Sequence, residues 1–209
     1  MRAFLYVGGE IHPDRITEHP RGDDMIIAAD GGYRNARTLG ERPQFLLGDL
    51  DSFGDGELPR DAEVYQVPAE KDLTDTQLAV DFALSRGARE LVIVGGLSGR
   101  LDHTLSNLSI LERLHAMRVP AVITDGQNRV RFLRNDSTLL ARGAYPYISL
   151  IAADPVVKGV CVDGCKYPLK KAVLRRHNQY AVSNEITGNC ALISVRAGGV
   201  YIVESADPT

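Results

Sequence analysis

Two aspartates separated by one residue follow a short apolar run near the end of the first quarter of the chain. Asp49 and Asp51 lie in the hexapeptide GDLDSF, which begins at Gly48. Side chains two residues apart on an extended backbone point to the same side, and two carboxylates so placed suit a Mg²⁺ ion shared with phosphate oxygens. The alternative is that both aspartates cap a turn, in which Asp51 and Ser52 form an Asx turn.

Charged side chains also occur in two motifs at predicted helix starts. In KDLTD, which runs from Lys71 to Asp75, the last residue adds a further carboxylate or simply complements the helix dipole. In GGLSGRLDH, Arg100 offers a planar donor that could neutralise charge on a transferring phosphoryl group. Asp102 could accept or orient the proton of a substrate hydroxyl, or it could cap the following helix. His103 could contact a ligand or form a hydrogen bond at the helix start.

The first 125 residues alternate predicted strands and helices, which is typical of an open, mostly parallel α/β sheet with helices on both faces. A capping-box pattern at Thr74–Gln77 predicts the start of one helix, and Asp102 is predicted to cap a longer one that carries Leu105, Leu108, Leu111, Leu114 and Met117. A shorter helix is predicted over Gly32–Leu39. The predicted strands are Ala3–Val7, Met25–Ala29, Phe45–Leu47, Glu63–Val67, Leu91–Val94 and Ala121–Thr124.

Glycine and polar residues recur at the carboxyl ends of these predicted strands. In open α/β sheets, ligands bind beyond those ends, where glycines let backbone N–H groups approach an anion. Four such turns at one edge therefore predict a polyanionic ligand such as a nucleotide. The chain has no GxxxxGK[ST] P-loop, so the phosphates must be bound in another way. The four turns are Gly8–Gly9, Asp30–Gly32, Gly48–Asp51 and Gly95–Gly96.

Beyond residue 126 the pattern changes to short β-rich runs divided by turn-forming residues, which predicts an all-β sandwich or barrel. We therefore expect an α/β domain over residues 1–126 and a β-sandwich over residues 127–209. The predicted strands of the second part are Val130–Leu133, Thr138–Ala141, Tyr147–Ile151, Ala191–Val195 and Val200–Val203.

Composition excludes several classes of protein. The 209 residues include 24 Lys and Arg against 27 Asp and Glu, and the net charge of −3 provides no electrostatic footprint for nucleic acid or an anionic membrane. No apolar stretch approaches the roughly 18 residues of a membrane helix. The three cysteines form no CxxC pair and fit a reducing compartment better than a disulfide framework. We expect a cytoplasmic protein that binds neither nucleic acid nor membrane.

The motifs DGG, GDLDSF, KDLTD and GGLSGRLDH, in this order, closely resemble the thiamine pyrophosphokinase family. The resemblance continues through GCKYPL (Gly164–Leu169) and VSNE (Val182–Glu185), so it covers most of the chain. It implies an α/β ATP-binding catalytic domain followed by a thiamine-binding β-sandwich, in a homodimer with the thiamine site at the subunit interface. It also implies transfer of the pyrophosphoryl group of Mg-ATP to the hydroxyl of thiamine, which gives thiamine diphosphate and AMP.

The same resemblance implies roles for individual residues. The magnesium-associated positions fall on Asp49, Asp51 and Asp75, and the catalytic set also includes Arg100 and Asp102. The substrate-facing positions fall on Asp102 and on the SN pair of VSNE. That pair is Ser183 and Asn184. Together with the glycine turns, the positions expected to bind ATP are Asp30, Gly31, Gly32, Lys71, Gly95, Gly96, Arg100 and His103.

Two other functions remain open on the motifs alone. A different Mg-dependent phosphotransferase or phosphohydrolase could act through the aspartate pair of GDLDSF, since haloacid dehalogenase phosphatases also place DxD after a hydrophobic strand. A non-catalytic thiamine or nucleotide sensor could be built on the same fold, although a binding protein has no need for every carboxylate.

Overall fold

The computed structural model describes residues 1–49, 62–66 and 73–207. Two of the predicted site residues, Asp51 and Lys71, lie outside these described residues. The chain divides into two compact units, Met1–Gly126 and Gln127–Thr209. Each unit has its own core of buried apolar side chains.

The first unit is built on parallel strands, as the sequence predicts. They are β1 (Arg2–Tyr6), β2 (Met25–Ala29), β3 (Phe45–Gly48), β4 (Glu63–Gln66), β5 (Glu90–Val94) and β6 (Ala121–Thr124). Within this unit they are paired in parallel in the order β4-β3-β2-β1-β5-β6. The central strands are buried on both faces, which explains why they are continuous apolar runs in the sequence.

Helices cover both faces of this sheet. They are α1 (Gly32–Thr38), α2 (Asp75–Ser85) and α3 (Leu101–Ala116), with a 3₁₀ turn at Pro13–Arg15. Side chains of α1 pack in one cluster with Phe4 and Tyr6 of β1. Successive strand residues point to opposite faces, so Ala3 and Leu5 lie on the other face, which is covered by α2 and α3.

The two longer helices begin in different ways. The capping box predicted for α2 is confirmed, because Thr74 Oγ1 accepts from Gln77 N at 3.3 Å and Gln77 Oε1 accepts from Thr74 N at 3.0 Å. The prediction that Asp102 caps α3 is wrong. The N-cap is Arg100, whose backbone is extended, and Asp102 lies inside the first turn, where a carboxylate complements the helix dipole.

The buried face of α3 also differs from the predicted one. Leu105 and Met117, which belong to the predicted stripe, are 58% and 50% exposed. A repeat of three residues falls short of a full turn of about 3.6 residues at each step, so the stripe drifts around the helix. Neither α3 nor any other helix in the described residues is long and apolar enough to span a membrane. The buried residues of α3 are Asn107, Ile110, Leu111 and Leu114.

The second unit is a sandwich of two antiparallel sheets, which confirms the predicted fold class. Its strands are β7 (Asn128–Arg134), β8 (Ser137–Ala141), β9 (Tyr147–Ala152), β10 (Val156–Asp163), β11 (Leu169–Arg175), β12 (Cys190–Ala197) and β13 (Gly199–Ser205). One sheet contains β7-β13-β9 and the other β11-β10-β12-β8. Inward-facing side chains of both sheets form one core, in which Leu150 and Ile202 of the first meet Val160 and Ile193 of the second.

Two strands of the second unit, β10 and β11, are absent from the sequence-based prediction. The ladder between them shifts register on either side of Val160. Gly159 and Lys171 have positive φ angles of 67° and 51°. These irregularities break the two-residue alternation that identifies a strand in a sequence, and β11 also begins with two lysines among few apolar residues.

Candidate active site

The order of strands in the first unit reverses at β1, which lies between β2 and β5. In open α/β sheets, ligands bind at the carboxyl ends of the strands beside such a reversal. The turns that follow β1 and β5 meet there, since Gly96 N donates to Gly8 O at 2.9 Å. Gly95 has a φ of 100°, and a Cβ atom on it would lie 2.5 Å from Val7 O. The close approach of the two turns therefore requires glycine at this position.

Two buried asparagines hold these turns from the helices. Asn35 of α1 donates through Nδ2 to Val7 O at 2.8 Å and to Gly9 O at 2.9 Å. Asn107 of α3 donates through Nδ2 to Gly96 O at 2.9 Å. The sequence prediction missed both residues. A polar residue on the buried side of a helix is the signal that could have identified them, because buried amides require hydrogen-bond partners.

Asp30 is held in an unusual conformation at the carboxyl end of β2. Its φ of 45° lies in the left-handed region, which is disfavoured for residues other than glycine. Its main-chain N–H donates to Leu47 O at 2.7 Å. Its Oδ1 is buried and has no hydrogen-bond partner among the described residues. An unsatisfied carboxylate oxygen in a strained residue fits a site that a ligand completes, such as a cation.

Asp49 and Asp75 lie at the same edge of the sheet as Asp30. Asp49 follows β3, which pairs in parallel with β2. Asp75 is the first residue of α2, which connects the carboxyl end of β4 to the amino end of β5. Both residues are partly buried. Within the described ranges, no three His, Cys, Asp or Glu side chains form a group that could hold a metal ion, and Asp51 lies outside those ranges.

Arg100 and Asp102 form a bidentate pair at the start of α3. Nε of Arg100 donates to Oδ1 of Asp102 at 3.2 Å, and Nη2 donates to Oδ2 at 2.6 Å. Both side chains are largely exposed, at 75% and 63%. The hydrogen bonds from the guanidinium lower the pKa of Asp102, and the carboxylate raises the pKa of Arg100. A carboxylate with a lowered pKa is a weak base, so this pair suits orientation of a hydroxyl better than removal of its proton.

The other predicted residues of the first unit lie at helix starts. His103 is exposed, and its main-chain N–H donates to Asp102 Oδ1 at 2.9 Å. Gly31 is the N-cap of α1 and Gly32 is its first residue. A Cβ atom on Gly32 would lie 2.0 Å from Tyr6 O. Gly32 therefore allows α1 to pack directly against the end of β1.

The second unit contains a cavity of about 250 Å³. Its walls are apolar except for two tyrosines and one asparagine, and none of the lining side chains is charged. Tyr167 and Tyr180 are 59% and 50% exposed, so the cavity is open to solvent on their side. The apolar lining residues are Ile148, Leu150, Val162, Leu169, Ala181, Val182 and Ile193.

Of the predicted thiamine-facing pair, Asn184 lines the cavity and Ser183 is not among the lining residues. Ser183 is exposed, has a φ of 55°, and donates through its main-chain N–H to Ser149 Oγ at 3.0 Å. The sequence prediction identified neither cavity tyrosine. Tyr167 belongs to GCKYPL and Tyr180 stands two residues before VSNE, so proximity to these motifs is the signal that could have found them.

Comparison with known proteins identifies relatives of both units. Residues 19–123 match the family model described as thiamin pyrophosphokinase, catalytic domain, and residues 136–200 match that of the thiamin pyrophosphokinase vitamin B1 binding domain. The chain is 29% identical over 217 residues to a Bacillus subtilis (strain 168) protein named thiamine pyrophosphokinase, covering 99% of this chain and 100% of that one.

Two solved structures are similar over the whole chain. A thiamin pyrophosphokinase from Geobacillus thermodenitrificans is 28% identical with a TM-score of 0.84, covering 100% of this chain and 99% of that one. A thiamin pyrophosphokinase family protein from Enterococcus faecalis is 27% identical with a TM-score of 0.80, covering 100% of both chains.

A doubly wound parallel sheet followed in the chain by an antiparallel sandwich, with these relatives, defines a transferase of the α/β class. The two family models together match most of the sequence. The chain belongs to the thiamin pyrophosphokinase family. It is accordingly an enzyme of thiamine diphosphate synthesis, which uses thiamine as the acceptor and ATP as the donor.

Proposed function

We propose that the chain transfers the pyrophosphoryl group of Mg-ATP to the hydroxyl of thiamine. The hydroxyl oxygen bonds to the β-phosphorus, the bond from that phosphorus to the α,β-bridging oxygen breaks, and AMP leaves with the electron pair. The hydroxyl proton passes to solvent or to a phosphate oxygen. The observation that carries the ATP site is the buried, unpartnered Oδ1 of Asp30 beside the strand reversal, because a bound substrate with its cation would satisfy it.

The residues at this edge fit a magnesium ion by their chemistry. Carboxylate oxygens are the ligands that Mg²⁺ takes together with substrate phosphates, and the unpartnered oxygen of Asp30 lies among them. We assign the ion to Asp49, Asp51 and Asp75, with Asp30 beside them. When bound, the ion would supply charge neutralisation on the phosphate oxygens.

The remaining groups of the first unit bind and orient the phosphates. The turns at Gly31–Gly32 and Gly95–Gly96 would present main-chain N–H groups to ATP, with Lys71 and His103 adding contacts. Arg100 would stabilise negative charge on the transferred group, as a planar and permanently charged donor does. Asp102 would accept a hydrogen bond from the thiamine hydroxyl and fix its direction of attack. Its lowered pKa keeps it ionised for this role.

We assign the rings of thiamine to the cavity of the second unit. Every lining residue falls within residues 136–200, the range that matches the vitamin B1 binding model. The thiazolium ring is cationic and the aromatic faces of Tyr167 and Tyr180 attract a cation. Glu185, adjacent in sequence to the lining residue Asn184, adds a carboxylate nearby. Ser183 would contact the substrate through its exposed hydroxyl.

We also propose that the enzyme is a homodimer with the thiamine site completed by the partner subunit, and that it works in the cytoplasm. The open side of the cavity leaves Tyr167, Tyr180 and Val182 about half exposed, which supports completion by a second copy. The free cysteines Cys161, Cys165 and Cys190 support a reducing compartment. Light scattering of the purified protein measures the oligomeric state, and a monomeric mass at working concentrations would contradict the dimer.

Product analysis tests the reaction. The purified protein is incubated with Mg-ATP in the presence and absence of thiamine, and nucleotides and thiamine esters are separated and quantified. We expect AMP and thiamine diphosphate in equal amounts, formed only when both substrates are present. Phosphate release without thiamine would indicate the alternative phosphohydrolase, and thiamine binding without AMP under any condition would indicate a sensor.

A further inference from the structure

The side chain of Asn184 is fully engaged by the main chain of one other residue and its own neighbour. Its Oδ1 accepts from Tyr167 N at 2.9 Å and from Glu185 N at 2.9 Å. Its Nδ2 donates to Tyr167 O at 2.8 Å. The amide thus grips both polar groups of the Tyr167 main chain, as a strand partner would.

This grip is the end of a short ladder. Lys166 N donates to Glu185 O at 2.9 Å, and Cys165 forms a bridge with Ile186. On its other side, Asn184 exchanges main-chain hydrogen bonds with Ile148 of β9, at 2.7 and 2.9 Å. The main chain of Asn184 is therefore fixed to a core strand, so its side chain can transmit that position to Tyr167.

The ring held in this way lines the cavity. Tyr167 is 59% exposed although its main chain is fully bonded to Asn184. The Lys166 ammonium lies 5.6 Å from the centre of the ring, and its charge is paired with Glu185 Oε1 at 2.9 Å. The second cavity tyrosine is held differently, because the Tyr180 hydroxyl donates to Val173 O at 3.1 Å.

We propose that Asn184 is a positioning residue that sets the Tyr167 ring against the bound thiamine, and that it does not hydrogen-bond the substrate itself. Its donor and acceptor groups are already used by the main chain, so a direct contact would require it to release Tyr167. Tyr167 is then the residue that contacts the substrate. This inference rests on the proposed function of the cavity.

A double-mutant cycle tests the inference. Asn184→Ala and Tyr167→Ala are made singly and together, and KM is measured separately for thiamine and for ATP. We expect each single change to raise the KM for thiamine about tenfold, the scale of losing one buried hydrogen-bonding group, with the KM for ATP unchanged. The double variant should be no worse than Tyr167→Ala, because both changes remove the same contact. Additive losses would show that Asn184 binds thiamine directly and would overturn the inference.

Two controls keep the outcome interpretable. Asn189→Ala removes an exposed amide outside the cavity lining, and its kinetics should match those of the unaltered protein. Tyr167→Ala breaks none of the hydrogen bonds of the ladder, so it decides the question even if Asn184→Ala fails to fold. An unchanged KM for thiamine in Tyr167→Ala would overturn the inference.

A binding measurement separates this inference from the proposed function. The chain contains no tryptophan, so Tyr167→Trp introduces a single fluorescent reporter at the cavity. Thiamine should quench its emission, and the added change Asn184→Ala should weaken that quenching about tenfold in apparent affinity. Emission that does not respond to thiamine in an enzyme that still makes thiamine diphosphate would overturn the inference alone. Failure of the unaltered protein to make AMP would overturn the proposed function.

Discussion

The side-chain amide of Asn107 donates a hydrogen bond of 2.9 Å to the carbonyl oxygen of Gly96. This bond joins the buried face of α3 to the turn that follows β5, and Gly96 in turn donates to Gly8 at 2.9 Å. A helix side chain therefore fixes both glycine turns at the strand reversal. The shape of the proposed phosphate site depends on a residue that is itself buried.

Asn107→Leu should loosen these turns. Leucine is of similar size but has no donor, so the Gly96 carbonyl loses its partner in a buried position and the free energy of unfolding should fall by about 1–3 kcal/mol. The KM for ATP should rise while that for thiamine stays unchanged. Urea unfolding and steady-state kinetics measure both. Ser109→Ala, on the exposed side of the same helix, is the matched control, and an equal effect of the two changes would contradict the assignment.

Gly32→Ala should destabilise the first unit far more than Gly31→Ala. A Cβ atom at position 32 would lie 2.0 Å from Tyr6 O and 2.6 Å from Val7 Cα, whereas nothing lies within 4 Å of one at position 31. Forced backbone shifts of this kind cost about 1–3 kcal/mol or more. Thermal and urea unfolding of the two variants provide the comparison. Equal stability would mean that α1 does not pack against the end of β1 as described.

Asp24 should contribute stability that is lost in acid. Its burial raises the pKa, but hydrogen bonds from Arg2 and from Arg21 N outweigh this, so the pKa in the folded state is lowered. Arg2 Nη2 and Asp24 Oδ2 lie 2.5 Å apart. A group with a lowered folded pKa stabilises above its unfolded pKa of about 3.9, and this contribution disappears as the pH falls through the folded pKa.

Asp24→Asn tests this sign. The variant should unfold with about 1–3 kcal/mol less free energy than the unaltered protein between pH 5 and 7, on the scale of hydrogen bonds to charged groups. The difference should shrink below about pH 4, where the aspartate becomes protonated. Urea unfolding across this pH range measures it. A difference that stays constant down to pH 2 would rule out the charged pair as its source.

Asp51→Asn should leave folding intact and lower turnover at least about a hundredfold, which is the scale of losing one charge-stabilising group in an active site. The measurement is kcat at saturating Mg²⁺, ATP and thiamine, with circular dichroism as the test of folding. Asp14→Asn removes an exposed carboxylate elsewhere in the first unit and should be silent. Unchanged turnover in Asp51→Asn would remove Asp51 from the metal site.

Arg100→Gln should raise the pKa of Asp102 towards its ordinary value, because the guanidinium hydrogen bonds are what lower it. Carboxyl-carbon NMR titration of the free enzyme reports the change directly. Turnover should fall as well, since a glutamine carries no charge to stabilise the transferred group. An unaltered Asp102 titration would show that the pair does not form in solution.

Local sequence signals predicted most of the first unit correctly. The strands Met25–Ala29 and Ala121–Thr124 have the predicted bounds, because buried parallel strands are recognisable as apolar runs. The capping box at Thr74 is likewise a purely local pattern. The start of α3 and its buried face were predicted wrongly, since Asp102 satisfies the usual rule for an N-cap while the chain uses Arg100 instead.

The residues that fix the candidate sites were harder to predict because their partners are distant in the sequence. Asn107 binds a carbonyl 11 residues away, and Asn184 grips a main chain 17 residues away. Nothing in the local sequence of either asparagine specifies its partner. The glycine turns were predictable because a glycine at a strand end is informative by itself. The aspartates of GDLDSF and the SN pair remain predictions of function.

The hold on Tyr167 has a practical consequence, because Asn184 contacts only main-chain atoms of that residue. A different side chain at position 167 leaves those bonds in place. Substitution there offers a route to retuning which vitamin analogues the enzyme accepts, since the scaffold around the exchanged group needs no redesign. A saturation library at this one position could be screened without first selecting for variants that fold.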